Sequence, residues 1–137
     1  MHLLNELQQN TINVAIALIK KGTKYLVSRR RSDAHLPGLW EFPGGKQIPN
    51  ETLEECVVRE VLEELSVEIK IDLFYGQFKH AYPDKTVTLY PYLCHIISGT
   101  PVSAQEIKWV FPQELLSLRF PEANIPLITK LINELGV

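Results

Sequence analysis

Cysteine is scarce in this chain: it has two, Cys56 and Cys94, each inside an apolar run. Neither has a second cysteine or a histidine at metal-ligand spacing, so neither a zinc motif nor a disulfide framework is indicated. Buried thiols in a reducing compartment are the expectation. An excess of charge of one sign is also missing. The 14 Lys and Arg against 16 Asp and Glu leave a formal charge of −2, which argues against general attraction to nucleic-acid polymers or anionic membranes and requires any nucleotide contact to be local. No apolar run approaches the roughly 20 residues of a membrane span, and the opening MHLLNELQQN has neither a basic region nor an apolar core for export. A soluble, cytoplasmic protein, monomeric or weakly dimeric, is expected. Repeats, low-complexity tracts and linkers are absent too, so the 137 residues, 45 % hydrophobic, read as one domain spanning 1–137 with one sizeable core.

What is there begins with β signals. INVAIALI (Ile12 to Ile19) and KYLVSR (Lys24 to Arg29) are rich in β-branched and aromatic residues, and KKGT between them reads as a hairpin turn. The polar loop RRSDAHLPG follows, then LWEF and Pro43-Gly44-Gly45. Helical periodicity starts near Thr52, with Leu53, Val57, Val61 and Leu65 at intervals of four. Cys56, Val58 and Leu62 broaden the apolar surface, so this helix is expected to be covered on more than one side. VEIKIDLFYGQF (Val67 to Phe78) and TVTLYPYLCHII (Thr86 to Ile97) read as strands flanking the turn YPDK, and EIKWVF as a shorter strand. At the end, Ile125, Ile128, Leu131, Ile132 and Leu135 fall at helical spacing behind Asn124, a cap candidate. This order predicts an α/β fold, a mixed β-sheet between helices.

The first helix is unusual in its carboxylates. At 3.6 residues per turn, Glu60, Glu63 and Glu64 fall within about 100° of arc, near a helix end whose dipole disfavours negative charge. A cation is the natural compensation. Carboxylate oxygens without thiol or imidazole partners suit hard Mg²⁺ or Mn²⁺, which leave coordination positions for water and substrate phosphates. The alternative is a solvated acidic face with Arg59 pairing Glu63 one turn on.

The spacing Gly45, Glu51, Arg59-Glu60, Val61, Glu63-Glu64, Ser66, Val67 resembles the Nudix box, G-x5-E-x7-R-E-U-x-E-E-x-G-U with U aliphatic, over residues 45–67. Ser66 alone departs from it, standing where the family has glycine. The resemblance implies a Nudix fold, an α/β/α sandwich, and a metal-dependent hydrolase. It implies that Glu60, Glu63 and Glu64 hold Mg²⁺ with the Gly44 carbonyl, where glycine lets the backbone approach closely, that Glu51 and Arg59 form an ion pair bracing the loop on the helix, and that Gly45 supports the site. If Ser66 keeps the family's left-handed helix end, it costs about 1 kcal/mol relative to glycine.

SRRRSDAHLPGLWEFPGGK, YPDKTVTLYPYL and FPEANIPLI are similar to segments of MutT-type enzymes, which hydrolyse 8-oxo-dGTP to 8-oxo-dGMP and pyrophosphate. That likeness implies a nucleoside triphosphate substrate touched by Arg30, Phe42, Asp84 and Asn124, with Asn124 reading the purine edge. Against these stand a solvated arginine at a strand end, a turn role for Pro83-Asp84, and a simple helix cap. Where such enzymes carry a further glutamate before the strand of Trp109, this chain has Ser103 or Ala104. Glu106 is the nearest carboxylate, either a substitute or an exposed strand residue, so the general base is Glu60, Glu63 or Glu106. A pyrophosphohydrolase of CTP or modified cytidine nucleotides and a non-catalytic module binding oxidised guanine are the rival expectations. The complete glutamate set argues for an enzyme.

Overall fold

The computed structural model describes residues 10–31 and 37–135. The opening MHLLNELQQ and the Ser32 to Leu36 part of the polar loop lie outside them, as does the Leu135 side chain expected on the last helix's apolar face. In chain order the elements are β1 (Thr11–Lys21), β2 (Lys24–Arg29), β3 (Trp40–Glu41), β4 (Gly44–Lys46), α1 (Leu53–Leu65), β5 (Glu68–Phe74), β6 (Phe78–Ala81), β7 (Thr86–Ser98), β8 (Glu106–Val110), 3-10 turns over Pro112–Ser117 and Glu122–Asn124, and α2 (Ile125–Leu135).

β1 organises the sheet. One of its edges runs parallel to β7 from Thr11 opposite Thr86 to Ile19 opposite Cys94. The other edge is shared. β4 pairs antiparallel over Val14 to Ile16, the Ala17 N–H donates to Pro43 O at 2.7 Å, and β2 pairs only at Lys20 and Lys21. The β1–β2 hairpin therefore splays after two residues, and β2 goes on to pair β3 and β8. β5 and β6 both pair antiparallel with β7, so the sheet is mixed. The single strand expected from Val67 to Phe78 is broken at Tyr75 to Gln77, where Tyr75 turns into the core and Gly76 has a φ of +104° that disfavours a side chain.

Alternation along β1 divides the interior into two layers. Ile16 and Leu18 face α2 with Leu127, Ile128 and Leu131. Ala15, Ala17 and Ile19 face α1 with Cys56, Val57, Val61 and Leu65. Two alanines on that face let α1 approach the strand closely. α1 is covered on one side only, because Val58 and Leu62, expected to widen its buried surface, are 36 % and 49 % exposed. Ile125 is likewise exposed, and Leu127 takes the buried position at the start of α2. Asn124 is not an extended helix cap. It belongs to the 3-10 turn that runs straight into α2, and its amide Nδ2 lies 3.5 Å from Pro121 O. Among the described residues no helix is long and apolar enough to cross a membrane.

Candidate active site

The site is built where β4 is pressed between β1 and α1. A Cβ at Gly44, whose φ is +145°, would lie 2.2 Å from Ala15 O, and one at Gly45 would lie 2.4 Å from the Glu60 carboxyl carbon. Gly44 leaves no room for a side chain against the β1 backbone, and Gly45 packs on the tip of the Glu60 side chain. Thr52 starts α1 with a reciprocal cap, its hydroxyl accepting from the Glu55 N–H at 3.0 Å and the Glu55 carboxylate accepting from its own N–H at 2.8 Å.

Arg59 ties the β4–α1 loop to the helix. Its Nε and Nη2 donate to the two oxygens of Glu51 at 2.9 and 2.8 Å, the paired geometry that makes arginine–carboxylate contacts strong. Glu51 also accepts from the Ile48 N–H at 3.0 Å, while its carbonyl accepts from Gln47 Nε2 at 2.8 Å. The Arg59 hydrogen bonds hold the Glu51 carboxyl down to about 2, and those carboxylates raise the guanidinium further above its ordinary value. Arg59 Nη1 reaches Glu60 at 3.0 Å and Glu63 at 3.3 Å.

Glu60, Glu63 and Glu64 are therefore not equivalent. Glu64 turns inward and accepts the Gly44 N–H at 3.3 Å. Burial pushes its carboxyl up to about 8, and the negative charges of Glu60 and Glu41 push the same way against the Gly44 bond. Glu60 packs on Gly45 within hydrogen-bonding reach of Glu64. Glu63, its side chain 60 % exposed, is drawn aside by Arg59. Among the described residues no three acidic, histidine or cysteine side chains converge closely enough to form a ready cation cage. The Glu60–Glu64 pair nevertheless suits a hard divalent ion. Its donors are all oxygen, and burial together with the crowding of like charge raises the Glu64 carboxyl, which a cation would relieve.

Beside the glycine pair opens a cleft of about 550 Å³. Its floor is apolar, with Ile12, Val14 and Ile16 of β1 and Val87 and Leu89 of β7. Arg30, Phe42, Gly44, Gly45, Asp84 and Asn124, all singled out in the sequence, line it. Phe42 is held by a tilted ring contact with Phe120 at 5.1 Å, and Asp84 sits at the turn closed by the Tyr82 N–H to Lys85 O bond at 2.7 Å. Glu106 does not line this cleft. Its antiparallel register with β2 puts it opposite Arg29, 3.7 Å from that guanidinium, on a separate hollow with Arg29, Arg30 and Arg31. Sequence reasoning missed Glu41, which accepts from Arg30 Nε at 2.9 Å and faces Glu64 electrostatically. Its signal was a lone carboxylate between the buried aromatics of WEFPGG. It also missed Lys46 and Tyr82 on the cleft wall.

A mixed sheet between two helices, with an acidic helix closed on a glycine pair beside a deep cleft, defines a hydrolase of the Nudix class. The chain belongs to that family: the model of the NUDIX domain matches residues 14–130. Nudix hydrolases generally use divalent metal ions. The chain is 32 % identical over 123 residues to the 8-oxo-dGTP diphosphatase of Escherichia coli (strain K12), spanning 88 % of this chain and 95 % of that protein. It is 30 % identical over 119 residues to the CTP pyrophosphohydrolase of the same organism, spanning 85 % and 88 %. The crystal structure of the MutT protein from Methanosarcina mazei Go1 superimposes with a TM-score of 0.78 at 26 % identity, covering 90 % of this chain and 94 % of that one.

Proposed function

We propose that this protein is a metal-dependent nucleoside triphosphate pyrophosphohydrolase acting on 8-oxo-dGTP, which it converts to 8-oxo-dGMP and pyrophosphate. The observation that carries this reading is the polarity of the cleft. Its lining joins the Gly44-Gly45 backbone beside the carboxylates and the half-buried Asn124 with an apolar surface of β1 and β7 side chains. The relatives named above are consistent with a nucleotide substrate.

In this reading Glu60, Glu64 and the Gly44 carbonyl, with Glu63 from the same helix face, hold Mg²⁺ or Mn²⁺. When bound, the ion neutralises the polyphosphate and acidifies a water. Glu60 or Glu63 accepts the proton from the attacking water. Glu51 and Arg59 keep the β4–α1 loop seated so that the carboxylates meet the polyphosphate in one fixed geometry, and Arg30, placed by Glu41, faces the nucleotide from the end of β2. Water attacks phosphorus, the P–O bond to the leaving group breaks, and the charge formed there is met by groups already in position.

Asn124 supplies the choice of base. Its amide presents a donor and an acceptor side by side. 8-Oxoguanine offers the matching pair, O6 as acceptor and N7–H as donor, whereas in guanine N7 is itself an acceptor. The unmatched contact costs about 1–3 kcal/mol, or roughly one to two orders of magnitude in selectivity. The test is kcat/KM with Mg²⁺ for 8-oxo-dGTP, dGTP, CTP and oxidised cytidine nucleotides, with product analysis, in wild type and Asn124→Ala. A preference for 8-oxo-dGTP that collapses in the variant supports the reading; higher turnover of CTP overturns it.

A further inference from the structure

The turn that carries Asn124 is held from outside itself. The first N–H groups of a helical turn have no partner within it. In the Glu122–Asn124 turn the Asn124 N–H donates to Pro121 O at 3.0 Å, and the Ala123 N–H, on a residue only 5 % exposed, donates to the hydroxyl of Tyr82 at 3.4 Å. Tyr82 comes from a different element, the β6–β7 loop 41 positions earlier in the chain. A second contact lies beside the first, with His80 Nε2 3.7 Å from the Glu122 carboxylate. The His80 ring packs edge-on against Tyr82 at 4.5 Å, and the Lys85 ammonium lies over the Tyr82 ring, 5.9 Å from its centroid. The loop is itself closed by the Tyr82 N–H to Lys85 O bond, so its position follows from β6 and β7.

We propose that Tyr82, supported by His80, is a positioning residue for base selection: its hydroxyl fixes the Ala123 peptide and through it the aim of the Asn124 amide across the cleft. This rests on the reading of Asn124 given above. Substrate discrimination by a donor–acceptor pair depends on direction, and a buried N–H that loses its acceptor turns toward another one or toward water. In this chain the same hydroxyl that completes the turn is carried by the loop forming the cleft wall. Substrate that fills the cleft and presses on that wall therefore also tightens the frame of the residue that reads its base. The apolar cleft floor belongs to β1 and β7.

A double-mutant cycle on the ratio of kcat/KM for 8-oxo-dGTP to that for dGTP tests it, because coupling between two residues appears as non-additivity. Tyr82→Phe keeps the ring and removes only the acceptor. The ratio is expected to fall three- to thirty-fold, mainly through a higher KM for 8-oxo-dGTP, and to fall no further when Tyr82→Phe is added to Asn124→Ala. Amide exchange at Ala123, measured without nucleotide, is expected to accelerate at least tenfold in Tyr82→Phe and less in His80→Gln. If Asn124→Ala lowers the ratio and Tyr82→Phe does not, the positioning role is overturned while the reading of Asn124 stands. Equal losses with and without Asn124 also overturn it, since the hydroxyl then acts on the base directly. If Asn124→Ala leaves the ratio unchanged, the reading of Asn124 fails and this role with it, whatever the exchange data show.

Discussion

Gly45 and Glu60 share one space: a Cβ on residue 45 would sit 2.6 Å from both carboxylate oxygens of Glu60. The atoms in the way are the tip of a flexible side chain, so the fold can yield there at small cost. The neighbouring Gly44 is different, because its missing Cβ would strike the β1 backbone at Ala15 O. Gly45→Ala is therefore expected to melt within a few degrees of wild type while losing about a hundredfold in kcat/KM, the scale of a 1 Å misplacement of a reacting group. Gly44→Ala is expected to lower Tm by about 10 °C or to prevent folding. Comparable losses of stability in both would show that Gly45 serves packing and not the carboxylate.

In the proposed function Glu64 links metal, pH and stability. Its folded-state carboxyl, raised to about 8 by burial and by Glu60 and Glu41, lies above the ordinary value of 4.5. The metal-free native state thus binds more protons than the unfolded chain between pH 4.5 and 8. The Glu64 contribution to the stability of the metal-free protein is expected to be complete below that window and to be lost as pH rises through it. A divalent ion held there is expected to reverse the trend by favouring the charged form, with an affinity that increases toward pH 8 as a proton is displaced. Glu64→Gln is expected to raise the Tm of the chelator-treated protein at pH 8 by about 5 °C and to abolish most turnover. Thermal melts with EDTA and with MgCl₂ across pH 5–9 check both; a metal-free Tm that rises with pH sinks the assignment.

Local pattern carried the reading as far as local physics reaches. The helix beginning near Thr52 is written in short spacings, the left-handed end at Ser66 came through the resemblance to the Nudix box, and the helical arc placed Glu60, Glu63 and Glu64 on one face. The same arc says nothing about Glu63 turning aside, because that depends on Arg59 engaging Glu51, Glu60 and Glu63 together. The influence of Glu41 on Glu64 was hidden for a similar reason: it arises only once β3, β4 and α1 are assembled. The β1–β2 hairpin was legible at its turn, but its splaying follows from β4 and Pro43 taking the β1 edge. Ile125 satisfied helical spacing and is still exposed, because the 3-10 turn before it runs continuously into α2 and the buried stripe begins at Leu127.

Glu51 supplies acid sensitivity of the opposite sign. Its carboxyl, held down to about 2 by Arg59, is depressed below 4.5, so its contribution to stability is complete above pH 4.5 and lost as pH falls toward 2. Glu51→Gln is expected to flatten the decline of Tm between pH 4.5 and 2 relative to wild type. Arg59→Lys, which keeps the charge but cannot offer two parallel donors, is expected to lower kcat/KM about tenfold by loosening the β4–α1 loop. Wild-type kinetics in Arg59→Lys would show that the paired geometry is dispensable.

Ser66 ends α1 at φ 58° and ψ 33°, its N–H donating to Leu62 O at 3.0 Å. The left-handed conformation costs a residue with a Cβ about 1 kcal/mol relative to glycine, and only part of that gain is offset by the greater freedom glycine has in the unfolded chain. The neighbouring backbone does not need the hydroxymethyl group. The Leu65 carbonyl accepts from the Val102 N–H at 2.9 Å, and Val67 is buried behind the turn. Ser66→Gly is therefore expected to raise Tm by about 2–4 °C, because the native backbone bonds are all retained. Substrate choice should not move, since Glu63 and Glu64 precede the turn and keep their helical positions. Calorimetry of the two proteins, beside their kcat/KM ratios for 8-oxo-dGTP and dGTP, checks both halves. A lower Tm for the glycine variant would mean that the serine side chain contributes a stabilising contact at the helix end, and a changed ratio would mean that this end of α1 reaches the substrate.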